Sequence, residues 1–247
     1  MSGEIQLSIV LPVHNEVESL PVLWRELAEV LPGLGEPAEV IFVDDGSTDG
    51  SVDVLHQLAE GDPRIRLIRF DENAGLSAAF YAGLQAARGH IIATMDSDLQ
   101  NDPRDIGMLI SHLGTADAVV GWRHIRRDSW LKRISSLIAN GIRKAITGDR
   151  VHDTACSLRV MRRECVTAVP PFTGMHRFMP TLLRIAGFHV VQVPVNHRER
   201  RFGRSKFGVA DRAFSAFADL LAVRWMMGSR LRYKIVERID PPGENGP

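Results

Sequence analysis

The chain has 247 residues, 45% of them hydrophobic and 24% charged, with 21 glycines and 13 prolines, a globular composition that excludes disorder, collagen and coiled coil. Cys156 and Cys165 share no CxxC spacing and build no disulfide framework, so core thiols in a reducing compartment are expected. Net charge is zero, yet residues 1–117 hold 20 acidic against 6 basic side chains and 118–247 hold 10 against 24, a split of −14 and +14. That split predicts carboxylates gathered for a cation in one half and cations gathered for anions in the other.

In chain order, four short apolar runs alternate with helical spacing in the first half. Leu7 to Val13, Val40 to Val43, Ile65 to Phe70 and Ile91 to Met95 are predicted strands; Leu20 to Leu31, Val52 to Ala59 and Ser77 to Ala87 are predicted helices. Strands separated by such helices give βαβ units and a mostly parallel α/β sheet covered on both faces. Pro103 opens a further helix and Ala118 to Trp122 is a fifth strand. Beyond it the pattern becomes basic. Trp130 to Thr147 reads as a basic amphipathic helix, followed by a short strand near Leu158 to Met161, a helix from about Arg177 to Ile185 and a strand at Val190 to Val195. A basic loop, His197 to Lys206, leads into helical segments ending near Met227, and Pro241 to Pro247 reads as a frayed tail. The expected organisation is one domain over residues 1–238 with a functional seam near residue 120 and a tail at 239–247.

Met1 to Gln6 has no basic stretch ahead of an apolar run, so no signal peptide is expected. The most apolar later segment, Phe214 to Met227, is interrupted by Asp219 and Arg224, and reads as an amphipathic helix rather than a span.

In a parallel α/β sheet, ligands sit beyond the carboxyl ends of the strands. Three of those ends are polar here: Pro12-Val13-His14-Asn15-Glu16, Asp44-Asp45-Gly46-Ser47-Thr48-Asp49 and Asp96-Ser97-Asp98-Leu99-Gln100. One such end is commonly a helix cap. Three together, one reading D-x-D, point to a divalent cation with a phosphorylated ligand. Residues two apart in extended backbone point the same way, so Asp96 and Asp98 face one ion with Gln100 third in the series. Hard oxygen donors suit Mg²⁺ or Mn²⁺. An EF-hand reading fails, because that loop needs Gly at 101 and Glu at 107 where the chain has Asn101 and Gly107. The only G-x-G-x-x-A match, Gly33 to Ala38, lies between a helix and a strand and contains Pro37; a P-loop, a G-x-S-x-G elbow and an H-x-x-x-H pair are all missing. In the basic half, Arg123 ends the fifth strand, and Arg198 to Lys206 places five cations in nine residues beside a glycine, a clamp for a diphosphate or an anionic acceptor.

These residues, in this order, resemble family 2 glycosyltransferases of the GT-A fold, and more closely their dolichol-phosphate mannose synthase and polyprenyl-phosphate branch. The marks are PVHNE at 12–16, VDDGSTD at 43–49, Asn73-Ala74-Gly75, DSDLQNDP at 96–103, GMHRFMP at 174–180 and RRFGRSK at 200–206. The resemblance implies an inverting, metal-dependent transfer of a sugar from a UDP- or GDP-linked donor to a polyprenyl phosphate. It places the nucleotide-sugar against Pro12, His14, Glu16, Val43, Asp45, Asp96 and Ser97, the metal on Asp96, Asp98 and Gln100, and the phosphates against Arg123, Arg200 and Lys206. Two positions depart from relatives: Cys156-Ser157-Leu158-Arg159 stands where many read S-G-F-R, and Leu137 stands where some carry an acceptor-binding Arg. Arg133, one turn earlier, is the expected substitute, giving Arg123, Arg133 and Arg200 for the acceptor phosphate.

A lipid phosphate is already anionic near neutral pH and needs no strong base. A sugar or protein hydroxyl acceptor, the alternative reading, needs a carboxylate, and Asp153 is the candidate. Processive polysaccharide synthases are disfavoured because the Gln position of their Q-x-x-R-W motif is Leu221 here. A nucleotidyltransferase wants a glycine-rich loop where His14-Asn15-Glu16 stands, and a non-catalytic sugar- or lipid-binding module has no use for both the D-x-D and the basic clamp. The expected location is the cytoplasmic face of a membrane, held peripherally to an anionic surface by basic amphipathic segments, with no nucleic-acid partner.

Overall fold

A computed structural model describes residues 4–35, 37–123, 141, 146, 151, 153–154, 156–202 and 209–229, with 209–217 described by backbone alone. The elements are β1 (Leu7–Val13), α1 (Leu20–Val30), β2 (Ala38–Asp44), α2 (Ser51–Gly61), β3 (Ile65–Arg69), α3 (Leu76–Ala86), β4 (Ile91–Thr94), α4 (Asp105–Ser111), β5 (Ala118–Arg123), β6 (Arg159–Arg162), α5 (Met175–Ala186), β7 (Val190–Val195) and α6 (Val209–Gly228). The strands form one sheet in the order β3-β2-β1-β4-β6-β5-β7. All pairs are parallel except those made by β6, which runs against both β4 and β5. The predicted strands and first three helices appear within two residues of their expected ends; α5 starts earlier than expected, at Met175. Pro103 lies not in α4 but in the turn before it, where Asp105 and Ile106 donate to the carbonyls of Asp102 and Pro103. The expected helix over 130–147 and the tail at 239–247 lie outside the described residues, apart from Gly141 and Ile146, both helical.

β1 and β2 are buried along their whole length, which is why they read as continuous apolar runs rather than as an alternation. One face packs Leu7, Ile9, Leu11 and Phe42 against Leu20, Leu23, Leu27, Leu55 and Ile106. The other packs Val10, Ile41 and Val43 against Phe80 and Leu84 of α3 and Phe178, Met179 and Leu182 of α5. α3 lies so close to the sheet that a Cβ on Gly83 would overlap Val10 Cγ1. Cys156 and Cys165 are free and buried; burial pushes their thiols up to about 11 and about 12, with Asp153 and Asp117 adding to it. Both are inert core thiols.

The sheet's amino edge also carries a buried carboxylate. Glu39 accepts from Ser8 Oγ at 2.6 Å, Arg66 at 2.8 Å and Arg88 N at 2.7 Å. Burial raises its pKa, but these bonds together outweigh that and leave it lowered. This network closes the end of the sheet away from the ligand loops.

Candidate active site

Beyond the carboxyl ends of β1, β2 and β4 the three polar segments interlock. Asn15, in the left-handed region at φ 53, donates from its backbone to Ser47 Oγ at 2.9 Å and accepts from Thr48 N at 2.7 Å. Glu16 N donates to Ser51 Oγ, and Val17 N to Asp49 Oδ2. His14 Nδ1 lies 2.7 Å from the Asp45 carbonyl. Asp45 is buried, and its carboxylate accepts from Ala74 N at 2.7 Å, Gly75 N at 3.0 Å and Asn73 Nδ2 at 3.1 Å. The N-x-G segment is therefore a turn folded around one carboxylate. Gly46 sits at φ +66, where a Cβ would stand 2.5 Å from the Glu72 backbone. Only glycine lets these two loops touch.

The D-x-D segment continues β4. Ser97 Oγ donates to the Pro12 carbonyl at 2.6 Å, tying the segment to β1, and Leu99 is buried in the left-handed region at φ 63. A bulky residue there is strained, and such strain is held where a segment's shape matters. Asp96 N donates to Ser157 Oγ at 3.1 Å, and Asn101 Nδ2 donates to the same hydroxyl at 3.0 Å. Burial first, then the charge of Asp98, push the Asp96 carboxyl up to about 6. Two carboxylates crowded out of water are what a cation relieves.

Residues 196–202 run past this segment as a strap. Asn196 donates twice to Asp105, Asn101 bridges His197, and Arg198 N donates to the Gln100 carbonyl at 2.8 Å. Arg198 pairs with Glu26 at 2.6 Å and Asp102 at 2.8 Å. Burial raises the Asp102 pKa, but Arg104 and Arg198 outweigh it and hold the carboxyl near 2. Arg200 reaches Asp98 Oδ2 at 2.7 Å and Glu16 Oε1 at 3.5 Å. Arg123 meets Asp153 through two bonds of 2.7 and 3.0 Å. Of the expected residues, Pro12, His14, Glu16, Val43, Asp45, Asp96, Ser97, Asp98, Gln100 and Arg200 thus stand on adjoining segments at the carboxyl end of the sheet. Arg133 and Lys206 lie outside the described residues.

Three participants went unassigned in the sequence. Arg198 is hidden in a run of similar cations. Ser157 sits in the C-S-L-R segment, and only the antiparallel pairing of Arg159 with Thr94 carries it to the D-x-D. His176 Nδ1 lies 2.8 Å from Ser77 Oγ, which also accepts from Gly174 N, and its ring stacks on Phe80 at 6.4 Å. Arg159, wholly buried, donates to the His176 carbonyl at 2.8 Å. The GMHRF segment supplied that signal, but without a partner for it.

A mostly parallel sheet with an acidic D-x-D at its central strand end and basic residues facing it defines a glycosyltransferase of the GT-A type. The chain belongs to glycosyl transferase family 2, whose profile matches residues 8–169. It is 37% identical over 236 residues to the dodecaprenyl-phosphate galacturonate synthase of Rhizobium johnstonii, covering 93% of this chain and 68% of that protein. Among solved structures it resembles the glucosyl-3-phosphoglycerate synthase of Mycobacterium tuberculosis in complex with Mn²⁺, UDP and phosphoglyceric acid, at 21% identity and a TM-score of 0.68, covering 92% of this chain and 80% of that one. It also resembles a mannosyltransferase of Pyrobaculum calidifontis in complex with GDP-Man and Mn²⁺, at 21% identity and a TM-score of 0.62, covering 94% and 66%.

Proposed function

We propose that the protein transfers a sugar, with inversion, from a nucleoside-diphosphate sugar to a polyprenyl phosphate at a membrane surface. The observation that carries this reading is the meeting of Arg200 with Asp98 and Glu16, which joins the D-x-D and the basic run in one site. The relative of 37% identity is named for a polyprenyl-phosphate product, and its galacturonate makes a UDP-linked uronate the first donor to assay.

The oxygen donors of Asp96, Asp98 and Gln100 fit Mg²⁺ or Mn²⁺. Asp96 and Asp98, with Gln100, would hold the ion and would share it with phosphate oxygens of the donor. The bound ion supplies positive charge to the departing diphosphate. Pro12, His14, Glu16, Val43, Asp45 and Ser97 shape the nucleoside end of the pocket. Arg123, Arg200 and Lys206 hold phosphates of donor or acceptor, with Arg133 on the acceptor phosphate. A phosphate nucleophile asks the protein mainly for alignment and charge neutralisation. Asp153, the base that a hydroxyl acceptor would require, presents both oxygens to Arg123, which supports the phosphate acceptor and gives Asp153 the role of orienting Arg123.

No helix among the described residues is long and apolar enough to cross a membrane. Leu221 and Trp225, one turn apart on α6, are 49% and 70% exposed, while Leu220 and Val223 on the opposite side are buried. With exposed Arg224 between them, and Arg230, Arg232, Lys234 and Arg238 following in the sequence, that face suits peripheral contact with anionic head groups of the cytoplasmic leaflet.

Incubation with UDP- and GDP-sugars, with and without undecaprenyl phosphate, tests the function: a glycolipid that forms only with lipid phosphate and divalent metal supports it, and transfer to a free sugar hydroxyl instead would reject it.

A further inference from the structure

We infer that Arg200 is a built-in counter-cation, holding Asp98 and Glu16 until metal and nucleoside diphosphate arrive together, so that divalent metal alone binds weakly. The inference rests on the metal-dependent reading above and adds an order of binding to it. One oxygen of Asp98 accepts from Gln100 N at 3.1 Å and the other from Arg200 at 2.7 Å. The carboxylate is buried at 8% exposure, which leaves few directions open to a cation. A divalent ion on that second oxygen would face a guanidinium a bond length away, and like charges so close repel strongly in a partly desolvated site.

Metal arriving alone must therefore break the shorter of the two pairs and leave Arg200 its longer contact with Glu16, at 3.5 Å. A diphosphate changes the balance, because its oxygens match the guanidinium fork and offer Arg200 a new anionic partner at the moment Asp98 turns to the ion. Metal and nucleotide then favour each other reciprocally. The exchange is local. Arg198, two residues earlier, keeps the strap in place through Glu26, Asp102 and the Gln100 carbonyl, so only the Arg200 side chain, 28% exposed, has to turn. The same residue thus serves first as a substitute for the metal and then as a ligand of the diphosphate.

The test is Mn²⁺ binding to the full chain, read from the electron paramagnetic resonance signal of free Mn²⁺, with and without UDP or GDP, on protein shown to be folded by circular dichroism. Arg200→Gln should bind Mn²⁺ alone about tenfold more tightly than wild type, the equivalent of about 1.4 kcal/mol, and nucleotide should improve its Mn²⁺ affinity less than it improves that of wild type. Arg200→Lys, which keeps a cation, should stay near wild type. Glu16→Gln, which loosens Arg200 without touching Asp98, should fall between. Equal Mn²⁺ affinity of Arg200→Gln and wild type, with nucleotide still enhancing binding in wild type, overturns the inference and leaves the metal-dependent function standing. If wild type takes up no Mn²⁺ even with both nucleotides present, the metal-dependent reading itself falls, and the inference with it.

Discussion

The acidic and basic halves of the site are held together by different means. On the acidic side the loops after β1, β2, β3 and β4 fasten to one another through short bonds between side chains and backbone: Asn15 to Thr48, Asp45 to Ala74 and Gly75, Ser97 to Pro12. On the basic side the strap at 196–202 adds ion pairs to its backbone bonds, Arg198 to Glu26 and Asp102, Arg200 to Asp98 and Glu16. The loop bonds are closed within the protein, whereas a guanidinium released by a carboxylate can donate to a phosphate instead. Under the proposed function the difference separates a preorganised pocket from an exchangeable clamp, and these ion pairs join the acidic half of the chain to the basic half.

The sharpest way to break that contrast is Asp98→Asn, which keeps the shape of the fixed side but removes the charge that pairs with Arg200 and that the proposed function gives to the metal. Transfer should fall by about a thousandfold, the scale of several kcal/mol of lost charge stabilisation, with little change in melting temperature. Wild-type turnover in the variant would detach the D-x-D from the chemistry. Arg198→Ala attacks the other side. It removes two ion pairs in which Arg198 is 20% and its partners 21% and 9% exposed, between the surface and buried extremes. A loss of about 2 kcal/mol is expected, or roughly 4–8 °C in melting temperature for a chain of this size, together with faster proteolysis in the strap. A stable variant with an intact strap would show that backbone bonds, not charge, hold it.

The two sides also differ in how far their sequence could be read. β1 and β7 stand at the residues expected, because apolar runs bounded by turn residues are local signals. The acidic loops were legible for the same reason, each lying at the end of its own strand. The strap's partners were not. Glu26 sits on α1 and Asp102 before α4, and no local pattern pairs them with Arg198; only the parallel register of β7 on β5 brings residue 196 past the D-x-D. Ser157 was hidden by the one antiparallel strand, whose reversal four residues of sequence do not announce. His176 was visible as a motif, but its partner Ser77 is 99 residues away.

That Ser77–His176 contact spans the seam and offers a gentler test. Burial, then Arg177 and Arg159, hold the His176 imidazole far below its ordinary value, near 3. At pH 5 an unfolding chain takes up a proton there that the folded chain refuses. This contribution is therefore whole above about 6.5 and drains away as the pH falls toward 3, by at most about 1.4 kcal/mol per pH unit for one proton. His176→Asn should melt earlier than wild type at pH 7 and lose less between pH 6.5 and 4, so that the two curves converge. Parallel curves would mean that His176 does not govern the acid side of stability.

The smallest effect on folding is expected on the outer face of α6. Trp225 is 70% exposed and Leu221 49%, so neither contributes much to the core. Trp225→Ser should shift stability by under about 0.5 kcal/mol, as surface substitutions do. Its effect on vesicle binding should be large by comparison, because an indole at the acyl boundary gains the burial that it lacks in the protein. Cofloatation with anionic liposomes reads this directly: wild-type protein should float, less of it as salt rises, and the variant should stay behind at every salt concentration. Salt acts on the cations and the substitution on the apolar contact, so the pair of measurements separates them. If the variant floats as well as wild type at low salt, charge alone holds the protein to the surface. If wild type fails to float at low salt, the exposed face of α6 does not meet lipid, and the exchangeable side of this molecule ends at the phosphate clamp.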